Sequence, residues 1–562
     1  MKLTEQNTLP GLLRELEIDR GGDPAVIFQQ REEDLAITYS ELIHKSAVFS
    51  KAIKKAGIRP GEPVIIILEH SPELIFSFFG AMLQGAIPAI MPFLTEKLSP
   101  QRYRQSISSL IEITRPAMIV TYRAFQSEIE SIKLSGSSLR SVIYVEDQPA
   151  SVDWDWSTLA GLDREATDIV LLQHSSGTTG LQKGVALSHR AVINQLQSYS
   201  QALELVEEDV IVSWLPLYHD MGLIAGFILP ILMGNMLVLM SPFDWVRAPH
   251  RLMRSVSAYQ GTLSWLPNFA YNFSATKIRD RDLEGVDLSS WRAVINCSEP
   301  MRYESHEKFL TRFEPYGLRR SALATCYAMA ENVFAVTQGG ISSPVTVDEV
   351  SRESLSSKAK AEPAQSGDTV VRMLSAGLPI SNTEIKIVDR EGSELPERSI
   401  GEIALRGSSL LSGYYRRPDL TETAFLGEWY KTGDLGYLYQ GELFITGRAK
   451  ELIIVGGKNI YPQDLEALVH EVPGVYPGRA VAFGVDNISL GTEDVVIVAE
   501  MDEGLEMDAA AVASRIRKSV AEGSDVTARY VRIVERGWLI KTSSGKNART
   551  ANKAKYLAEL GS

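Results

Sequence analysis

Cysteine is nearly absent from this sequence: 562 residues contain two, Cys297 and Cys326. Neither lies in a Cys-x-x-Cys or Cys/His spacing, so neither a disulfide framework nor a structural zinc site is expected. Positive charge is scarce too, with a formal net charge of −13. A phosphate backbone demands a net basic face, so nucleic acid is not the expected partner. Long apolar runs are missing as well. The most apolar stretch, Leu74 to Phe93, is interrupted by Gln84, two glycines and two prolines. It reads as a buried helix followed by a strand, not as a membrane span. The first twenty residues carry acids and no continuous apolar segment, unlike a signal peptide. These absences leave a cytoplasmic enzyme as the expectation.

What is present has the proportions of a globular protein: 44% hydrophobic and 23% charged residues. The length calls for two or more domains. Over roughly the first four hundred residues, strand-like runs ("EPVIIILE", "PAMIVTY", "DIVLLQ", "NMLVLM", "RAVINC") alternate with helical spacing. That alternation predicts α/β layering with largely parallel sheets. From Gly339 to about Met373 there is no aromatic residue, and Ser, Ala, Lys and Glu dominate. By composition this is a surface loop with a short helix. Short strands follow from Thr383, and a small α+β unit begins near Arg448.

Five polar clusters lie where α/β sheets place ligands, at the ends of predicted strands. "SSGTTGLQKG", Ser175 to Gly184, follows a strand and precedes what reads as a helix. Small residues let backbone N–H groups approach phosphate oxygens, hydroxyls add donors, and Lys183 adds charge. The P-loop spacing G-x-x-x-x-G-K-[ST] is not met, and loops of this composition are mostly turns. "YAMAEN" carries Glu331, either a hard oxygen ligand for Mg²⁺ or a solvated acid. "YKTGD" carries Asp434, either a ribose acceptor or an Asx-turn residue. "GRAKELI" carries Arg448 and Lys450, and "KTSSGK" ends on Lys546 in what would ordinarily be a solvated tail.

In this order, with "SEP" at 298–300, the motifs resemble those of the acyl-adenylate-forming superfamily, and the resemblance spans nearly the whole chain. It implies a large N-terminal domain of packed α/β subdomains, residues 1–447. A small, mobile α+β C-terminal domain, 448–562, would turn about a hinge at Lys450. It implies attack of a carboxylate on the α-phosphorus of ATP, then transfer of the acyl group to a thiol. Ser175, Ser176, Gly177, Thr178, Thr179, Gly180 and Lys183 would hold the outer phosphates, and Glu331 would hold Mg²⁺. Ser298, Glu299 and Pro300, with Tyr327 and Ala328, would take the adenine, Asp434 and Arg448 the ribose. Lys546 would stabilise charge at the reacting centre; His219, counted with Lys546 and Glu331 among the catalytic residues, would with Trp214 border the acyl chain, a packed, hydrogen-bonded histidine being the competing account.

"SWLPLYHDMGLI" (213–224), "SWLPNFAYNF" (264–273) and "YPQDLE" (461–466) look like fatty acyl-AMP ligases. Those enzymes deliver the acyl group to an acyl carrier protein, here expected to be a separate chain. Their additional segment, which restrains the C-terminal domain, would correspond to about 339–373. Gln182, Asn332, Gly457, Lys458 and Ile460 depart from the usual pattern. A fatty acyl-CoA synthetase and a non-catalytic nucleotide- or acyl-binding scaffold are the alternatives.

Overall fold

The computed structural model describes all of the chain except residues 1–3, 5, 31–32, 94–99, 133–137, 176–182, 456–457, 488–491, 503–506, 525, 543–544 and 561–562. The largest sheet has seven strands, in the order Leu323–Thr325, Ala293–Asn296, Leu263–Leu266, Val210–Ser213, Met236–Leu239, Pro24–Phe28 and Leu35–Thr38. All its pairings are parallel except the last. A second, four-stranded parallel sheet runs Ile87–Ile90, Pro63–Ile66, Met118–Thr121 and Ser141–Tyr144.

The helices that join these sheets start where their caps dictate. Thr38 and Glu41 form a reciprocal capping box for Tyr39–Lys55. Ser71 caps Pro72–Leu83, which has proline in its first turn. One apolar core continues through both sheets, from Val26, Ile211 and Leu237 to Val64, Ile66 and Val120. Each such side chain, when fully buried, stabilises by about 1.5–3 kcal/mol. Among the described residues, no helix is long and apolar enough to cross a membrane.

The C-terminal sheet has strands Val475–Asn487, Thr492–Met501 and Ala528–Val534. Its period-two pattern separates two apolar layers. Ala480 and Ala482 face the helices Pro462–His470 and Ala509–Gly523, while Val481 and Phe483 face Tyr556 of the last helix. The fold is therefore α/β, with a large N-terminal and a smaller α+β C-terminal domain.

The segment after Gly339 corrects the expectation of a surface loop. Val347–Ser351 and Val370–Leu374 pair as an antiparallel hairpin with a π-turn at Ser354–Lys358 between them. Val350, Leu355 and Ala361 pack on Tyr437 and Phe444. The aromatic partners that this segment lacks are supplied by strands some seventy residues further along.

Candidate active site

The strand Ile169–Ser175 enters segment 176–182, and the chain returns as the antiparallel strand Lys183–Ser188, with Ser175 opposite Lys183. Helix His189–Ala202 begins only after that, where the Ser188 hydroxyl accepts from the Ala191 N–H. The expected order of strand, loop and helix is thereby corrected to hairpin, then helix. Gly184–Leu187 is buried on both faces, between Ile169–Ser175 and the short strand Gly413–Tyr414. Ser176, Gly177, Thr178, Thr179 and Gly180 lie outside the described residues, as does the Ser175 side chain. The Lys183 ammonium stands 4.7 Å from the centre of the Tyr414 ring.

Tyr414 links that lysine to Glu331. Its hydroxyl donates to Glu331 Oε1 at 3.0 Å and shares a 3.0 Å hydrogen bond with Tyr430. Glu331 is partly accessible, yet protein surrounds its carboxylate, so it is not a free surface acid. Burial pushes its carboxyl above the usual range, the Tyr414 hydrogen bond opposes that, and Asp220 adds to it. A carboxylate so placed gains from a cation, and the residues present suit Mg²⁺. Among the described residues no cluster of three acids, histidines or cysteines could form an all-protein cage. One carboxylate with phosphate oxygens and water completing the shell is the usual arrangement for that ion.

Asp434 sits inside the strand Trp429–Tyr439, not in a turn. It pairs in register with Arg448 of Glu442–Arg448. Arg448 Nε donates to Asp434 Oδ1 at 2.9 Å, and the Tyr327 hydroxyl donates to Oδ2 at 2.7 Å. Tyr327 and Ala328 follow the end of strand Leu323–Thr325, and Ala328 bridges to Ala335. On the neighbouring strand Ala293–Asn296, the chain leaves through Ser298, whose φ of 68° turns it sharply. Glu299 Oε2 accepts the Phe269 N–H at 2.9 Å, and Pro300 is exposed.

Lys546 lies near the other end of the chain. Its N–H donates to Thr542 Oγ1 at 3.1 Å and its carbonyl accepts the Thr542 N–H at 2.8 Å, closing a tight turn. Lys546 is half-buried, in contrast to the expected solvated tail. Its charge reaches Asp220, a residue that sequence reasoning passed over. Burial pushes the Asp220 carboxyl up, but His219 and Lys546 together hold it below the usual range. His219 Nδ1 lies 2.6 Å from Asp220 Oδ1. The only sequence signal for Asp220 is its place at the start of the apolar run Met221–Ile228, whose first N–H it accepts. Trp214 is buried and stacked on Trp245, ring centres 3.6 Å apart.

Lys450 is exposed in the turn Ala449–Glu451 that follows Arg448. Across this joint, Arg302 Nη2 meets Asp464 Oδ1 at 2.7 Å, and Gln463 Nε2 donates to the Thr446 carbonyl at 2.7 Å. Gly447 permits the approach: a Cβ there would stand 2.7 Å from the Tyr461 ring.

The chain matches known proteins over most of its length. The family model described as AMP-binding enzyme matches residues 18–415. The medium-chain-fatty-acid–[acyl-carrier-protein] ligase JamA of Moorena producens is 30% identical, over 99% of this chain and 96% of its own. The 4-hydroxyphenylalkanoate adenylyltransferase of Mycobacterium tuberculosis is 32% identical, over 88% of this chain and 82% of its own. A solved structure from a study of fatty acyl-adenylate ligases of E. coli and L. pneumophila superimposes with a TM-score of 0.88 at 26% identity, covering 100% of both chains. The ordered motifs and these matches have one explanation: the chain is a ligase of the AMP-binding enzyme family.

Proposed function

We propose that the protein activates a medium- or long-chain fatty acid with ATP and passes the acyl group to the phosphopantetheine thiol of a separate acyl carrier protein. The observation that carries this reading is two connected groups, Lys183–Tyr414–Glu331 and Tyr327–Asp434–Arg448, with the charges of Arg448 and Asp220 acting on Glu331 and that of Lys546 on Asp220. The carrier-protein ligase among its relatives supports the acceptor. In the first step a carboxylate oxygen attacks the α-phosphorus and the bond to the leaving pyrophosphate breaks. In the second the thiol sulfur attacks the acyl carbon, AMP departs and the thiol proton is lost.

Two anions must meet while a third leaves, so positive charge has to be preorganised. Lys183 and the segment Ser175–Gly180 hold the outer phosphates, and Glu331 is placed to hold Mg²⁺, which would neutralise charge on them. Asp434, oriented by Arg448 and Tyr327, receives the ribose hydroxyls; the adenine lies against Ser298, Glu299, Pro300, Tyr327 and Ala328. Lys546 reaches between the carboxylate and the α-phosphate, and His219 borders the acyl end. A preorganised donor of the Lys546 kind is worth about 3–4 kcal/mol of barrier, by analogy with oxyanion-hole groups.

We assign residues 1–447 to the N-terminal domain and 448–562 to a mobile C-terminal domain pivoting at Lys450, and place the reaction in the cytoplasm, where ATP is supplied. The hairpin after Gly339 restrains that motion. In support, Arg352 Nη1 donates to the Gly523 carbonyl, and the turn Ser354–Lys358 lies beside strand Lys458–Ile460.

Pyrophosphate release over fatty acids of increasing length and 4-hydroxyphenylalkanoates, followed by thioester analysis with CoA and with holo-carrier protein, tests the proposal. A fatty acid optimum and carrier-dependent thioester are expected. Efficient acyl-CoA formation would make it an acyl-CoA synthetase, and silence across the whole panel would leave a binding scaffold.

A further inference from the structure

Arg549 lies three residues beyond Lys546, at the start of the helix Arg549–Leu560. Its guanidinium is turned inward, the side chain 15% exposed, and joins three separate elements. Nε and Nη2 grip Glu466 of helix Pro462–His470 in a two-pronged pair, at 2.9 and 2.8 Å. Nη1 donates to Glu451, the last residue of the turn Ala449–Glu451 and the neighbour of Lys450. Glu466 is occupied further, its Oε1 accepting the Ala482 N–H at 2.9 Å. Planar, charge-assisted pairs of this type fix direction as well as distance, which an ammonium cannot do.

The loop carrying Lys546 is tied down from the same side. The Asn552 side chain accepts the Ile540 N–H at 2.8 Å and donates to the carbonyls of Ile540 and Ala548. Asn552 is fully buried. The base of the Lys546 turn thus has two anchors. Asn552 holds it to its own helix, and Arg549 holds that helix to the connector and to Pro462–His470.

We infer that Arg549 is a positioning residue for the first half-reaction. By clamping Glu451 beside the pivot and Glu466 on the adjoining helix, it fixes where Lys546 lands when the C-terminal domain closes. This rests on the adenylation role proposed for Lys546. The inference also separates the two half-reactions. Glu451, Glu466 and Arg549 all lie beyond Lys450, so the clamp travels intact when the domain rotates. Once acyl-AMP exists, Lys546 is withdrawn, and its placement no longer limits the rate. A lysine misplaced by about 1 Å is enough to cost about a hundredfold in the step that needs it.

The test uses the full chain carrying Arg549→Lys, with Glu451→Gln as a second variant that keeps the Arg549–Glu466 fork and therefore the fold. Fatty-acid-dependent pyrophosphate formation is measured beside acyl transfer from supplied acyl-AMP to holo-carrier protein. Both variants should lower kcat for pyrophosphate formation, Arg549→Lys by about tenfold or more. KM for ATP and transfer from supplied acyl-AMP should stay within about twofold, the margin expected of a step Lys546 does not serve. Equal loss in both half-reactions, or no loss in Glu451→Gln, would overturn the inference. Wild-type protein that releases no pyrophosphate with any fatty acid would instead remove the adenylation reading on which it rests.

Discussion

Glu331 holds a carboxylate among protein atoms with the Tyr414 hydroxyl as its donor, and burial raises its pKa above the ordinary 4.5. A raised carboxyl pKa means the folded state binds the proton more tightly than the unfolded chain. The stability it lends is complete below the ordinary value and is lost as pH climbs through the raised one. Glu331→Gln, which keeps the Tyr414 hydrogen bond, should therefore stabilise the unliganded protein at pH 8 by about 1 kcal/mol. That gain should shrink toward pH 5, measured by urea denaturation at the two pH values. The same variant should lose pyrophosphate formation by about a hundredfold, the exchange of stability for function expected at a ligand-binding acid. A variant no more stable at pH 8 than wild type would mean that Glu331 carries no desolvation cost. Glu331 was legible as a residue, but the sequence left it open as ligand or surface acid. Tyr414, more than eighty positions away, shows that it is not a free surface acid.

The hairpin Val347–Ser351 and Val370–Leu374 has a buried polar anchor. Asp348 is buried and receives Arg398 through both oxygens at 3.1 Å, together with the Tyr437 hydroxyl at 2.8 Å. Arg398 also lies 3.6 Å over the Tyr439 ring. Asp348→Ala leaves a mostly buried guanidinium without its carboxylate and should cost about 3 kcal/mol. Tyr437→Phe removes a single hydrogen bond and should cost about 1 kcal/mol. Denaturant midpoints test both, and cleavage within 352–369 by a limiting dose of protease should quicken in Asp348→Ala. Unchanged cleavage would show that packing on Tyr437 and Phe444 holds the hairpin unaided. This element was the least legible stretch of the sequence, because its apolar surface is completed by residues outside it.

Across the whole molecule, the Arg302–Asp464 pair spans the joint between the two domains with side chains 30% and 45% exposed. A pair so accessible adds about 0–1 kcal/mol to stability. Its larger effect should be on which orientation the C-terminal domain keeps. Arg302→Ala is expected to leave Tm within about 1 °C while lowering pyrophosphate formation about threefold at low salt. The gap from wild type should close as salt screens the pair, over an ionic strength range of about 0.05 to 0.5 M. A deficit independent of salt would point to a role for Arg302 at the nucleotide instead.

By itself the sequence determined the family motifs, the α/β class and the order of the parts. Those properties are local: a hydroxyl-rich loop, a capped helix or an alternating strand is written within a few consecutive residues. The tertiary structure decided which residues act together. It paired Ile169–Ser175 with Lys183–Ser188 as a hairpin, set Asp434 in a strand against Arg448, put the Tyr414 hydroxyl on Glu331, and bound Glu451, Glu466 and Arg549 into one clamp. Ion pairs and shared burial act through space, and their partners stand up to several hundred residues apart in the chain.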